Sequence, residues 1–149
     1  MSKYLTIDEL NIDNQELLVL TLQHDVLFQG RLGLPGLEIE SHDLAVHLFG
    51  IQDKQRPETA EVIIRRQFVG GAANDIGFKR AESGNFVPII SEYDNGYGQY
   101  GEAWRDQLSQ RYGERKYAQD MYENGFQLDS KELQQDGTTA MTFSRMGGI

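Results

Sequence analysis

The sequence predicts an α+β fold: a mostly antiparallel sheet with one long amphipathic helix and one short helix packed on one face. Three observations lead there. Several short runs alternate apolar with polar residues, the period-two pattern of half-buried strands. Neighbouring runs are joined by short polar turns, which favours antiparallel pairing of strands adjacent in sequence. One segment late in the chain instead repeats its apolar residues at helical spacing.

Taken in order, Tyr4 to Ile12 reads as a strand or extended arm. Asp13 or Asn14 is suited to cap a short helix carrying Leu17, Leu18 and Leu22 on one side, because either side chain accepts from the helix's first unpaired N–H groups. Asp25 to Phe28 reads extended. Gly30 to Gly36 reads as a loop, with Pro35-Gly36 fitting a type II turn. Leu44, Val46 and Leu48 alternate with Asp43, Ala45 and His47, and Ala60, Val62, Ile64 and Phe68 alternate with Glu61, Arg65 and Gln67. These two strands are expected to pair across the polar turn Asp53 to Pro57. A second hairpin joins Ile76-Gly77-Phe78 to Phe86 through Ile90, with Pro88 confining the latter strand to an edge or a bulge. Tyr93 to Gly101 reads as a structured loop. Glu102 to Asn124 is the long helix: Trp104, Leu108 and Tyr112 recur every fourth residue, Ala118, Met121 and Tyr122 continue the apolar side, and Gly113 is a soft point. Gly125 suits a left-handed C-cap, and Phe126, Leu128, Met141 and Phe143 flank the turn signal Asp136-Gly137 in a terminal hairpin.

The chain has 149 residues, enough for one core, so a single domain over residues 1–149 is expected. No cysteine is present, which removes disulfides, thiolate metal sites and a cysteine nucleophile. The net charge of −9 repels phosphate backbones and anionic bilayers. No run approaches the roughly 18 apolar residues of a membrane span, and no signal-peptide pattern opens the chain. The expected location is the cytoplasm or an organelle stroma.

The motifs that carry chemistry are sparse. His42 and His47 are five apart, a spacing that does not converge on a strand or a helix, so no metal site is expected of them with His24. Gly70-Gly71-Ala72-Ala73 is glycine-rich after a strand. It lacks Gly-Lys-Ser/Thr and Gly-x-Gly-x-x-Gly and precedes another strand, so it reads as a hairpin connection. Asp94-Asn95-Gly96 lacks the alternating oxygens of a calcium loop. No serine lies in a Gly-x-Ser-x-Gly setting. No cofactor is expected.

Several separated motifs nevertheless occur together: Asn74-Asp75-Ile76-Gly77-Phe78, Tyr93-Asp94, Gln110-Arg111-Tyr112, Gly125-Phe126-Gln127 and Asp136-Gly137. In this order they resemble the Ycf thirty-five family of cyanobacterial and plastid proteins, also described as domain of unknown function twelve fifty-seven. The likeness spans about residues 60 to 145, with only the general layout shared before that. It implies a small soluble protein with no assigned activity or cofactor, whose gene neighbours include AAA+ ATPases. The Tyr- and Gly-rich insertion Gly96 to Gly101 departs from the family pattern.

The leading expectation is therefore a non-catalytic protein-interaction module or accessory subunit of a larger assembly, partnered, by that resemblance, with an AAA+ ATPase. Asp75, Tyr93, Asp94, Arg111 and Arg115 are the expected binding residues. One alternative is a small enzyme using carboxylate and tyrosine acid–base chemistry, with Asp75, Tyr93, Asp94 and Arg111 around one pocket. Another is a nucleic-acid accessory protein, with Arg111, Arg115 and Lys116 as phosphate contacts and Tyr97, Tyr100 and Tyr112 as stacking faces. Glu102, Asp106, Glu114, Asp120 and Glu123 on the same helix dilute that positive field.

Overall fold

The computed structural model describes residues 2–147. Its elements are α1 (Gln15–His24), β1 (Glu40–Phe49), β2 (Gln55–Ile64), α2 (Arg66–Val69), β3 (Ile76–Arg80), β4 (Phe86–Ile89), α3 (Glu92–Gly96), α4 (Glu102–Glu123), β5 (Phe126–Leu133) and β6 (Thr139–Arg145). The fold is α+β and its strand pairs are antiparallel. The chain packs as two compact units, Met1–Tyr112 and Gly113–Ile149. Helix α4 supplies its first half to one unit and its second half to the other, and it runs through Gly113 without interruption.

In the first unit the sheet order is β1-β2-β3-β4. Asn14 caps α1 by accepting from the Leu17 amide at 3.0 Å, so one N–H that the helix leaves unpaired finds a partner. The leucine side of α1 and the first half of α4 cover one face of the sheet. Leu18, Leu22, Val62, Ile64, Ile76, Phe78, Phe86 and Leu108 are all fully buried there. Trp104 and Tyr112 complete the stripe of α4, and both polar tips are used. The indole N–H donates to the Leu27 carbonyl at 2.9 Å, and the Tyr112 hydroxyl accepts from the Asn14 amide at 3.1 Å.

The opposite face buries Leu48, Ala60 and Ile63 beneath Tyr4 and the partly buried Val46 and Ile89. Ala60 and Ile63 share this face although they are three positions apart on β2, in the stretch where the pairing of β1 with β2 shifts register between Ser41 and Val46. The same irregularity leaves Leu44, expected on a buried face, 81% exposed.

The N-terminal segment is the extended arm. Leu5 donates to the Ile90 carbonyl, Leu10 to the Phe86 carbonyl, and Phe86 to the Ile12 carbonyl, all at 2.8–2.9 Å. Phe86 and Ile90 thus turn their polar groups to the arm, and by strand alternation so does Pro88, whose missing N–H costs the ladder to β3 nothing. The loop reading of Gly30 to Gly36 also holds: Leu37 N–H donates to the Leu34 carbonyl around Pro35 and a left-handed Gly36.

Two expectations fail locally. Phe68 does not extend β2; the strand ends at Ile64 and Phe68 lies in the four-residue helix α2. The segment expected as a loop from Tyr93 begins as helix α3, capped by Ser91.

In the second unit β5 and β6 form their own two-stranded sheet. Gly125 ends α4 with φ of 91°, and Gly137 with φ of 88° follows a turn closed by its own N–H on the Gln134 carbonyl. The hairpin loop is therefore longer than the two residues that Asp136-Gly137 suggested. Tyr117 meets Phe143 edge-on at 5.5 Å, and Lys131 pairs with Glu114 at 2.8 Å.

Leu108 has no exposed surface and is surrounded by the helix-side core. Leu108→Ala is expected to lower stability by about 2–5 kcal/mol, measured as a shifted urea midpoint with unchanged slope.

Candidate functional site

Three of the residues singled out by sequence, Asp75, Tyr93 and Asp94, lie where the sheet meets α2 and α3. Asp75 immediately precedes β3 and is completely buried. One carboxylate oxygen, Oδ2, accepts from the Phe49 amide at 2.7 Å and from Arg65 Nη1 at 2.8 Å; Oδ1 accepts from the Arg66 amide at 2.7 Å. Arg66 is the first residue of α2, so its N–H is one that the helix itself leaves unpaired. The main chain of Asp75 is engaged as well: its N–H donates to the Phe49 carbonyl, and its carbonyl accepts from the Tyr4 hydroxyl at 2.7 Å. Burial raises the Tyr4 pKa above the ordinary tyrosine value, so this hydroxyl stays protonated and able to donate.

Arg65 carries the link outward. Its guanidinium also grips both oxygens of Glu40 and reaches the His47 carbonyl at 3.2 Å. The hydrogen bond from Arg65 holds the Glu40 carboxyl below its ordinary value, and His42, 2.9 Å away, adds to that. His47 instead contacts the Arg56 carbonyl through Nδ1 at 2.8 Å. Among the described residues no group of three or more His, Asp or Glu side chains is gathered as metal ligands.

A second buried cluster adjoins the first. Asn74 donates its amide to Asp94 Oδ2 at 3.1 Å and its side-chain Nδ2 to Ser91 Oγ at 3.0 Å, while its Oδ1 accepts from Arg56. Ser91 caps α3 by accepting from the Asp94 amide, and its hydroxyl donates back to Asp94 Oδ2 at 2.8 Å. Burial is the largest influence on Asp94 and raises its carboxyl pKa, against the lowering effect of the Asn74 and Ser91 hydrogen bonds.

Asp94 also lines an open cavity of about 270 Å³. One wall is Gly70-Gly71-Ala72-Ala73, and the other is Tyr93, Tyr97, Gly98, Gln99 and Tyr100. Tyr100 is buried and fixes the floor: its hydroxyl donates to the Val69 carbonyl and accepts from the Gln29 amide. A Cβ at Gly98 would fall 2.6 Å from the Asp94 carbonyl oxygen, so this wall closes on Asp94 only with glycine there.

Of the residues expected to bind, Tyr93 and Asp94 line this cavity together. Asp75 lies outside its wall, with both carboxylate oxygens already engaged. Arg111 and Arg115 lie on α4, in the first and second units respectively, and neither lines it. Sequence reasoning missed Arg65, Asn74 and Ser91. Ser91-x-x-Asp94 has the spacing of an N-cap with an acceptor three residues on, a signal that was available. Arg65 carried no local signal.

The ionised form of Glu40 is favoured by folding. Its contribution is full above the unfolded carboxyl's value and is lost as pH falls through the lowered folded value. Glu40→Gln is expected to reduce the urea midpoint at neutral pH and to converge on wild type as pH drops below 4.5, measured by equilibrium unfolding across that range.

Among the described residues no helix is long and apolar enough to cross a membrane. Comparison with curated proteins and with solved structures gave no match. A family model described as "Protein of unknown function (DUF1257)" matches residues 33–142, reaching further toward the N-terminus than the motifs from about residue 60. The match covers well over half the chain, and the protein belongs to this family of unknown function.

Proposed function

We propose that the protein is a non-catalytic interaction module, and that the β5–β6 hairpin of the second unit is the element a partner engages. The observation that carries this is the hairpin's exposure. After Phe126 every residue of β5 is exposed, Leu128 by 42% and Leu133 by 66%, and on α4 of the same unit Tyr117 and Tyr122 are exposed by 54% and 63%. A two-stranded sheet is marginal by itself, and edge strands are the places where an added strand can pair. Strand addition on such an edge, with apolar anchors alongside, is a recurring mode of peptide recognition.

The competing enzyme reading is weakened by the use of Asp75, a fully buried carboxylate whose two oxygens are both held by structural donors, three in all. The nucleic-acid reading has against it the overall charge of −9. The resemblance extends our proposal in three ways: to kinship with the Ycf thirty-five proteins, to an AAA+ ATPase as partner, and to the cytoplasm or a stroma as location. Its support is the ordered set of motifs from Asn74 to Gly137.

Leu128→Glu combined with Leu133→Glu should change the melting curve little, since Leu133 is mostly and Leu128 partly in solvent. Affinity capture from the native cell, read by mass spectrometry, should recover a defined partner with wild type and lose it with the double variant. Recovery of the same partner by both proteins would remove the hairpin from the interface.

A further inference from the structure

The cavity beside α3 has one carboxylate in its wall. Asp94 is only 1% exposed and lines it. Its Oδ2 takes both the Asn74 amide and the Ser91 hydroxyl, whereas nothing among the described residues hydrogen-bonds Oδ1. Glu58 Oε1 is the one fully buried side-chain oxygen without a partner among the described residues. Asp94 Oδ1, also without one, is therefore not fully sealed away, and Asp94 is part of the cavity wall.

The rest of the wall agrees. No lysine, arginine or histidine lines it, and the guanidiniums of Arg66 and Arg105 are engaged by the carbonyls of the wall residues Ala73 and Tyr100. Tyr93 and Tyr97 are paired with ring centroids 5.9 Å apart, yet Tyr97 is 88% exposed. Aromatic faces held in solvent beside a carboxylate offer cation–π attraction to an ammonium group. The glycine-rich wall would suit a phosphate by its backbone alone, but the Asp94 carboxylate opposes one. At about 270 Å³ the space is slightly below the range of roughly 300–1,000 Å³ typical of drug-sized ligands, which points to a short chain with one charged end.

We propose that this cavity binds an alkylammonium group, with Asp94 Oδ1 accepting an N–H from it and the rings of Tyr93 and Tyr97 beside its charged end. A free alkylamine and a lysine side chain of another protein present the same chemistry. The proposal concerns the first unit alone, so its failure would leave the hairpin reading intact.

The experiment is an amide NMR titration of the full chain with n-butylammonium, with n-butanol as the neutral counterpart, and with a short lysine-bearing peptide. Saturable shifts of the Gly71, Ala72, Tyr97 and Gln99 amides are expected with an ammonium probe and not with butanol. Saturation by butylammonium alone assigns the site to free amines; saturation by the peptide assigns it to a partner's lysine. Asp94→Asn should weaken binding at least about tenfold, the loss of a charged hydrogen bond, and Tyr97→Ala about two- to fivefold, as at an exposed cation–π site. Should Asp94→Asn disturb the folded spectrum, Tyr97→Ala decides alone, because its ring is already in solvent. Absence of saturation with both ammonium probes, equal binding of butanol, or unchanged affinity in a folded Asp94→Asn or in Tyr97→Ala would overturn the proposal.

Discussion

The first unit depends on one buried carboxylate. A charge removed from water is costly unless its oxygens are hydrogen-bonded and paired, and both oxygens of Asp75 are engaged, by two backbone amides and a guanidinium. The donors come from two places: Phe49 at the end of β1, and the consecutive Arg65 and Arg66 where β2 gives way to α2. Tyr4 of the N-terminal arm closes on the Asp75 carbonyl. Satisfying this single side chain therefore fixes where β1 ends, where β2 gives way to α2, and where the arm crosses the sheet.

The neighbouring motif residues follow from the same placement. Ile76 and Phe78 point into the helix-side core, while Gly77, between them, points to the opposite face. A Cβ on Gly77 would stand 2.8 Å from the Ala60 Cβ and 3.1 Å from the Leu48 methyls, so the two faces close only around glycine. Asn74 joins Arg56, Ser91 and Asp94, and a Cβ at Gly50 would come within 2.8 Å of its Oδ1. All five residues of Asn74-Asp75-Ile76-Gly77-Phe78 thus have structural work that accounts for their identity. The cavity that Asp94 lines and the exposed hairpin are the surfaces on which the two proposals rest.

Much of this fold was legible because periodicity reports burial directly. Trp104, Leu108 and Tyr112 are buried as their four-residue spacing predicted, and the β3–β4 hairpin lies where its turn residues put it. Phe68 was misread because its parity continues that of Ile64, and the features that end the strand, Arg65 and the Arg66 amide turning to Asp75, involve a residue nine or ten positions later. The candidate site was half legible. Asp75 and Asp94 stood out as acidic residues in motifs, and Tyr93 with Asp94 does share a cavity. Their burial was not readable, since it is created by Arg65, Asn74 and Ser91 arriving from separate elements. Arg111 was grouped with them on sequence alone, and its helix position does not bring it to that cavity.

Native-state hydrogen exchange at the Phe49 and Arg66 amides tests the Asp75 account most directly, because these two N–H groups report whether the carboxylate holds them. If Asp75 is the lock described, both amides exchange only through global unfolding, with protection matching that of core amides such as Ile64. Exchange of either amide at the rate of an exposed loop, while Ile64 stays protected, would contradict it.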